Sequence, residues 1–185
     1  MDAIVAPKLT YEDLRKMPED GKRYELIDGE VYMTPSPNTK HQVVVGNLHV
    51  ALRRFADETG IGKVFLAPFD VVFGERTAVQ PDLLFIHKER LSILTDLNVQ
   101  GAPDLVIEVL SPSTAAFDRE TKLQVYARAG VPEVWYVDPK EEVLEILNLS
   151  PSRRYKKTAR LSGDASVASR VLAGLRLPLE EVFAS

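Results

Sequence analysis

Cysteine is absent from this 185-residue chain, which excludes disulfides, thiolate zinc sites and cysteine nucleophiles together. Any metal must be held by oxygen or imidazole, and the absence suits a reducing compartment. Long apolar runs are also missing: no segment approaches the ~18 apolar residues of a membrane span. The opening MDAIVAPKLTYEDL lacks the basic start and continuous apolar stretch of a secretion signal. The expectation is a soluble, cytoplasmic protein. Histidine is scarce, and His41, His49 and His87 are spread too widely to suggest a zinc site. No P-loop, dinucleotide glycine fingerprint, HExxH or GxSxG elbow occurs. Positive charge is not in excess either. With 27 acidic and 23 basic residues the net charge is −4, which argues against a generic nucleic-acid-coating protein. It leaves room for an enzyme that binds cations through carboxylates and keeps local basic patches such as Arg53-Arg54 or residues 153–157.

What is present is enough apolar material, 45% of residues, for a sizeable core. Prolines and glycines are scattered, so nothing divides the chain, and residues 1–185 read as a single domain. Thr10 with Asp13 three residues on predicts a capped short helix over Leu9–Met17, ended by Pro18. RYELIDGEVYM predicts a hairpin turning at Asp28-Gly29, since that pair supplies the positive φ angles of a tight turn. From Lys40 to Thr59, Val44, Leu48, Ala51, Leu52 and Phe55 recur at helical spacing, and Gly60 follows as a stop. Lys63–Phe73 and Pro81–Ile86 read as strands separated by the turn Gly74-Glu75-Arg76. Pro103–Leu110 is a buried strand, a helix runs from about Thr114 to Ala129, and Glu133–Val137 is the next strand, an order that suggests a parallel crossover. Val143–Leu149 and Tyr155–Ala159 form a further antiparallel pair, with a last helical turn near Leu177–Phe183. The class is α/β (α+β): a mixed central sheet flanked by helices, with an N-terminal hairpin and a C-terminal antiparallel extension.

Two carboxylates stand out. Asp82 opens one strand and Glu108 lies late in a nearly all-apolar one, so neighbouring strands of one sheet can bring them together at a shared end. A hard divalent cation takes a few carboxylate oxygens and keeps several waters, so two carboxylates and a backbone carbonyl suffice. The competing reading for Glu108 is a structural salt bridge, and for Asp82 a turn hydrogen bond.

Asp118, Lys122, Tyr126 and Gly130 recur every four residues and share one helix face beyond the Glu108 strand. Lys122 could therefore reach back to the carboxylates, orient a water and stabilise phosphate charge; alternatively the stripe is simply solvated. Glu25 in the hairpin and His41 at the start of the long helix are further candidates, set against an exposed strand glutamate and a capping histidine.

These residues resemble a known family. RYELIDGEV at 23–31, Ser36-Pro37 followed by His41, Pro81-Asp82, PDLVIEVLSPST at 103–114, the Asp118/Lys122/Tyr126 stripe and AGVPEVWYVDP at 129–139 are similar, in that order, to the Uma family of bacterial "putative restriction endonucleases", a domain of unknown function within the PD-(D/E)XK nuclease superfamily. The resemblance covers nearly the whole chain and implies a restriction-endonuclease-like core. It implies that Asp82 and Glu108 are the two acids and that the Val109 carbonyl is the backbone ligand of the metal. The pattern's lysine should stand at position 110, where this chain has Leu110, so Lys122 is the natural substitute.

Three readings follow. The first is a metal-dependent endonuclease acting on DNA, with Mg²⁺ or Mn²⁺ on Asp82, Glu108 and Val109, Lys122 positioning the water, and Glu25 and His41 adjusting metal or water. The second is a non-catalytic nuclease-fold binding or assembly module, a homodimer, favoured by Leu110 and the acidic balance. The third is a metal-dependent hydrolase of another phosphoester. A Lys122 within a few Å of the carboxylates favours the first over the second; a Lys122 in solvent favours the module.

Overall fold

The computed structural model describes residues 7–18 and 20–185, so the opening residues 1–6, whose composition argued against a secretion signal, lie outside it. Thr10 caps the short helix α1 (Tyr11–Leu14) in a reciprocal box with Asp13. Strands β1 (Arg23–Ile27) and β2 (Glu30–Thr34) form the expected hairpin, with Asp28 at φ 52° and Gly29 at φ 83° in its turn. Helix α2 (Thr39–Thr59) is capped by the Asn38 side chain and ends at left-handed Gly60.

The next stretch departs from the sequence pattern. Lys63–Phe73 is not one strand but two, β3 (Gly62–Leu66) and β4 (Val71–Gly74), lying in different sheets. Pro68 between them has no amide hydrogen to give a ladder, so the strand cannot run on in register. The turn at 74–76 then leads into a short strand, β5 (Thr77–Val79), before β6 (Leu83–His87). A two-residue strand β7 (Val99–Gln100) precedes β8 (Leu105–Val109).

The helix over 114–129 is also irregular. It comprises α3 (Ala115–Phe117), a π-helical turn at Asp118–Lys122 and α4 (Leu123–Ala129). The Leu123 N–H reaches back five residues to the Asp118 carbonyl, which also accepts the buried Tyr136 hydroxyl at 2.8 Å. Such turns insert an extra residue and cluster at functional sites. Beyond it come β9 (Glu133–Asp138), β10 (Val143–Leu149), β11 (Tyr155–Leu161), the pair β12 (Ser166–Val167) and β13 (Leu177–Pro178), and α5 (Leu179–Phe183).

The larger sheet runs β11-β10-β9-β8-β6-β3, with β8 and β9 parallel and its other pairs antiparallel; the second runs β2-β1-β5-β4-β7. Side-chain alternation sorts the larger sheet into two faces. Leu83 and Phe85 of β6, and Leu105, Ile107 and Val109 of β8, pack under Val44, Leu48 and Leu52 of α2. Leu84 and Ile86, with Val106 and Leu110, face the other way, toward Val125 and Tyr126 of α4 and Ile27, Val71 and Val79 of the second sheet. Each such aliphatic side chain removed from water contributes about 1.5–3 kcal/mol. Among the described residues no helix is long and apolar enough to cross a membrane.

The β3–β6 contact is tight enough to test. A Cβ on Gly62 would sit 2.2 Å from the Ile86 carbonyl oxygen and 2.6 Å from the Phe85 ring, so neither backbone nor a packed aromatic can yield cheaply. Gly62→Ala is expected to lower stability by about 1–3 kcal/mol, read as a fall in the urea midpoint; an unchanged midpoint counts against this packing.

Candidate active site

Alternation also decides where the polar groups point. Glu108 lies between Val106 and Leu110 on the α4 face of β8, although every residue of that strand is buried. Asp82 precedes Leu83 on the adjacent antiparallel strand, whose register pairs Leu83 with Ile107, so the two acids fall side by side at one end of the sheet. Arg23 and Glu25 share a face of β1 with Ile27, which packs into the same cluster. Glu25 is buried, not the exposed strand residue its neighbours suggested.

The π-turn supplies the lysine. Lys122 is 3% exposed, and its Nζ lies 2.7 Å from Glu108 Oε1, 3.0 Å from Glu25 Oε1 and 3.7 Å from Asp118 Oδ1. The stripe that could have been solvated is turned inward. Tyr126 donates its hydroxyl to the same Glu108 oxygen. Asp82 Oδ2 accepts the Val109 N–H at 2.9 Å and faces His41 Nε2 at 3.2 Å, while Oδ1 lies 3.6 Å from the Arg23 guanidinium. His41 is held there by the helix start, its N–H donating to the Asn38 cap at 2.9 Å. Leu110 packs in the apolar cluster and offers no donor.

All five residues singled out in the sequence, Glu25, His41, Asp82, Glu108 and Lys122, thus line one pocket of about 190 Å³, with Val109 in its wall. A larger pocket of about 470 Å³, walled by Lys22, Met33 and Leu66, shares Arg23, His41 and Asp82 with it. Sequence reasoning assigned no role to Arg23 or Gln80 and named Tyr126 and Asp118 only as parts of a stripe. Period-two spacing from Glu25 and from Asp82 was the available signal for the first two.

The electrostatics are those of a site short of positive charge. Four buried carboxylates, Glu25, Asp82, Glu108 and Asp118, face one buried ammonium and the Arg23 guanidinium. Burial drives the Glu108 carboxyl well above its ordinary value against the pull of Lys122, with Asp118, Asp82 and Glu25 adding to the rise. Asp118 is raised for the same first reason. Burial opposes ionisation of Asp82 too, but the His41 contact, Lys122 and the Val109 N–H outweigh it and hold Asp82 below the usual range. Burial would strip the proton from Lys122; the carboxylates of Glu108, Glu25 and Asp118 reverse that and keep it an ammonium well past its ordinary pKa.

The donor set fits a hard divalent cation. Its excess negative charge is of the right sign, and two buried side-chain atoms without a protein partner, His41 Nδ1 and Gln80 Oε1, belong to residues lining this pocket. Among the described residues no three carboxylate or imidazole groups close on one point. The fit is therefore to an ion that retains water, as Mg²⁺ does, rather than one caged by protein.

A family model described as "Putative restriction endonuclease", Uma2, matches residues 11–180. A crystal structure of a "putative nuclease belonging to DUF820" from Anabaena variabilis superimposes with a TM-score of 0.78 at 22% identity, covering 95% of this chain and 98% of that one. That likeness establishes the fold, a mixed α/β architecture of the restriction-endonuclease-like kind. The type IIG restriction endonuclease BpuSI aligns over 64% of this chain and 13% of its own, at 15% identity and a TM-score of 0.38. No curated protein matches the sequence.

Proposed function

The chain belongs to the Uma2 family of putative restriction endonucleases, and from that premise we propose that it is a metal-dependent endonuclease hydrolysing phosphodiester bonds in DNA. The observation that carries the proposal is the Lys122 ammonium, buried 2.7 Å from the Glu108 carboxylate although position 110 holds a core leucine. A non-catalytic module has no need to bury a lysine among carboxylates at the end of its central sheet.

Asp82, Glu108 and the Val109 carbonyl would hold Mg²⁺ or Mn²⁺, which supplies a Lewis acid for the phosphoryl oxygens and lowers the pKa of a bound water. The rest is the chain's own work. Lys122, kept charged by three carboxylates, cannot serve as a base; it donates hydrogen bonds, orienting the attacking water and stabilising charge on the phosphate. Glu25 and Glu108 fix the ammonium, Tyr126 fixes Glu108, and His41 and Arg23 brace Asp82. In the reaction the water oxygen bonds to phosphorus and gives up a proton to solvent, as the bond to the leaving sugar oxygen breaks and that oxygen takes up a proton from solvent, giving one phosphomonoester end and one hydroxyl end.

The test is calorimetric titration of Mn²⁺ and Mg²⁺ beside plasmid nicking, for wild type and for Asp82→Ala. Wild type is expected to bind and nick, and the variant to do neither. The pH dependence has a definite sign. Because Glu108 and Asp118 hold protons above their ordinary range, a cation must displace them, so affinity should rise with pH and binding should release protons. Metal-dependent nicking by Asp82→Ala at the wild-type rate would refute the assignment.

A further inference from the structure

Gln80 lies in the connection between β5 and β6, two residues before Asp82, and lines the acidic pocket. Three of its four polar groups are used unequally. The backbone N–H donates to Glu25 Oε1 at 2.7 Å, the same oxygen that faces Lys122. The side-chain Nε2 donates to Asp70 Oδ1 at 2.7 Å. The side-chain Oε1 is buried and receives no donor from the protein.

That assignment of oxygen and nitrogen is not free to reverse. A carboxylate only accepts, so the amide must turn its NH₂ toward Asp70 and its carbonyl away from it. Asp70 is itself fixed, because the Tyr11 hydroxyl donates to its other oxygen at 2.7 Å and Asn98 Nδ2 donates to that hydroxyl at 3.2 Å. Burial and the Asp70 bond, in that order, push the Tyr11 hydroxyl up to about 12, so it stays a donor throughout the neutral range. A relay reaching from helix α1 thus fixes the orientation of one buried acceptor on a residue that lines the same pocket as Glu25, Asp82, Glu108 and Lys122. Buried side-chain acceptors ordinarily find a donor, and those that do not call for an explanation such as a bound water or a catalytic role.

We propose that Gln80 is a positioning residue of the phosphodiester-cleaving site, its Oε1 accepting a hydrogen bond from the water that attacks phosphorus. This rests on the endonuclease reading above. An acceptor-only group is suited to that role, since it binds one O–H of the water and so turns a lone pair toward the phosphate, while the Lys122 ammonium, a donor, meets that water from a different side. The Gln80 backbone N–H at the same time fixes Glu25, coupling the orientation of the water to that of the lysine.

The decisive experiment combines a water-resolving crystal structure of the wild-type protein with single-turnover nicking by wild type, Gln80→Met and the exchange variant Gln80→Glu/Asp70→Asn. The structure should show a water within hydrogen-bonding distance of Oε1 and of a pocket carboxylate or the Lys122 ammonium. Gln80→Met, of similar volume but without the carbonyl or the amide donor to Asp70, should cut the nicking rate about 10- to 100-fold, as misoriented reactants do, with KM for DNA at its wild-type value and the rates compared well below either protein's Tm. The exchange variant restores both a buried acceptor at 80 and a donor at 70, and should recover most of the lost rate. A full rate in Gln80→Met, or a lost rate that the exchange variant does not recover, would overturn the proposal. So would an Oε1 against dry protein in the crystal. If wild type nicks no DNA, the endonuclease reading falls by itself. The crystallographic water then decides whether Gln80 positions water, its absence rejecting that role outright.

Discussion

Replacing Lys122 by Met should be the most damaging single substitution in this protein. It removes the ammonium from among Glu25, Glu108 and Asp118 and leaves carboxylates without their buried partner. Breaking one side of a buried ion network generally costs about 3–5 kcal/mol, which for a chain of this size means a fall of roughly 6–20 °C in Tm. The pH dependence separates this cause from a packing defect. The lysine's folded pKa is raised, so its contribution is whole below the unfolded value of about 10.4 and is lost only as pH climbs through the still higher folded value. Wild type therefore keeps that contribution throughout the neutral range. In the variant the stranded carboxylates must take up protons, so the deficit should be largest near pH 8 and shrink toward pH 5. A deficit independent of pH would show that the loss is one of shape. Nicking should be abolished at every pH, since no other ammonium lies in the pocket among the described residues.

Glu108→Gln should do the opposite to stability and the same to activity. The amide keeps an oxygen for Tyr126 and Lys122 while removing one buried negative charge from an over-acidic cluster. Since Glu108 has a raised folded pKa, its favourable contribution is complete below the unfolded value of about 4.3 and is lost as pH rises through the folded value. Above that folded value the ionised carboxylate is a burden, and its removal should raise stability by about 1 kcal/mol, or roughly 2–4 °C in Tm. The gain should be greater at pH 8 than at pH 5. Metal-dependent nicking should meanwhile fall by about 100- to 1000-fold, the equivalent of roughly 3–4 kcal/mol of barrier. A more stable and inactive Glu108→Gln is the signature of a residue kept for chemistry. A less stable variant would mean that the glutamate is structural, and an active one that the metal is held elsewhere. Combined with Lys122→Met, the glutamine should restore much of the lost Tm without restoring nicking, because it removes one of the carboxylates that the methionine leaves unpaired.

The elements that sequence reading located are those whose signals are local. The capping box at Thr10, the Asp28-Gly29 turn and the Gly60 and Gly130 stops each follow from the φ preference or hydrogen-bonding capacity of one or two residues. The apolar spacing in α2 was equally plain. Lys63–Phe73 is rich in apolar and β-forming residues and reads as one strand, although Pro68 within it is itself a local break signal; only the fold shows that its two halves enter different sheets. The π-turn leaves no mark in the sequence at all. It places Lys122 against Glu108 and Asp118 while its Asp118 carbonyl accepts the Tyr136 hydroxyl.

By itself, then, the sequence determined the family, the order of elements and the identity of the anomalous residues, because a glutamate in an apolar strand or an aspartate at a strand mouth is conspicuous without coordinates. It could not decide whether those residues met. Glu25, His41, Asp82, Glu108 and Lys122 are drawn from four elements and the connection entering a fifth, and their convergence depends on which face each strand turns toward α4, a question of register and layer order that is non-local. A one-residue slip would send each side chain to the opposite face. Only the folded sheet, with both faces covered, fixes that parity, and with it whether Lys122 is a solvated surface lysine or the buried ammonium of a candidate active site.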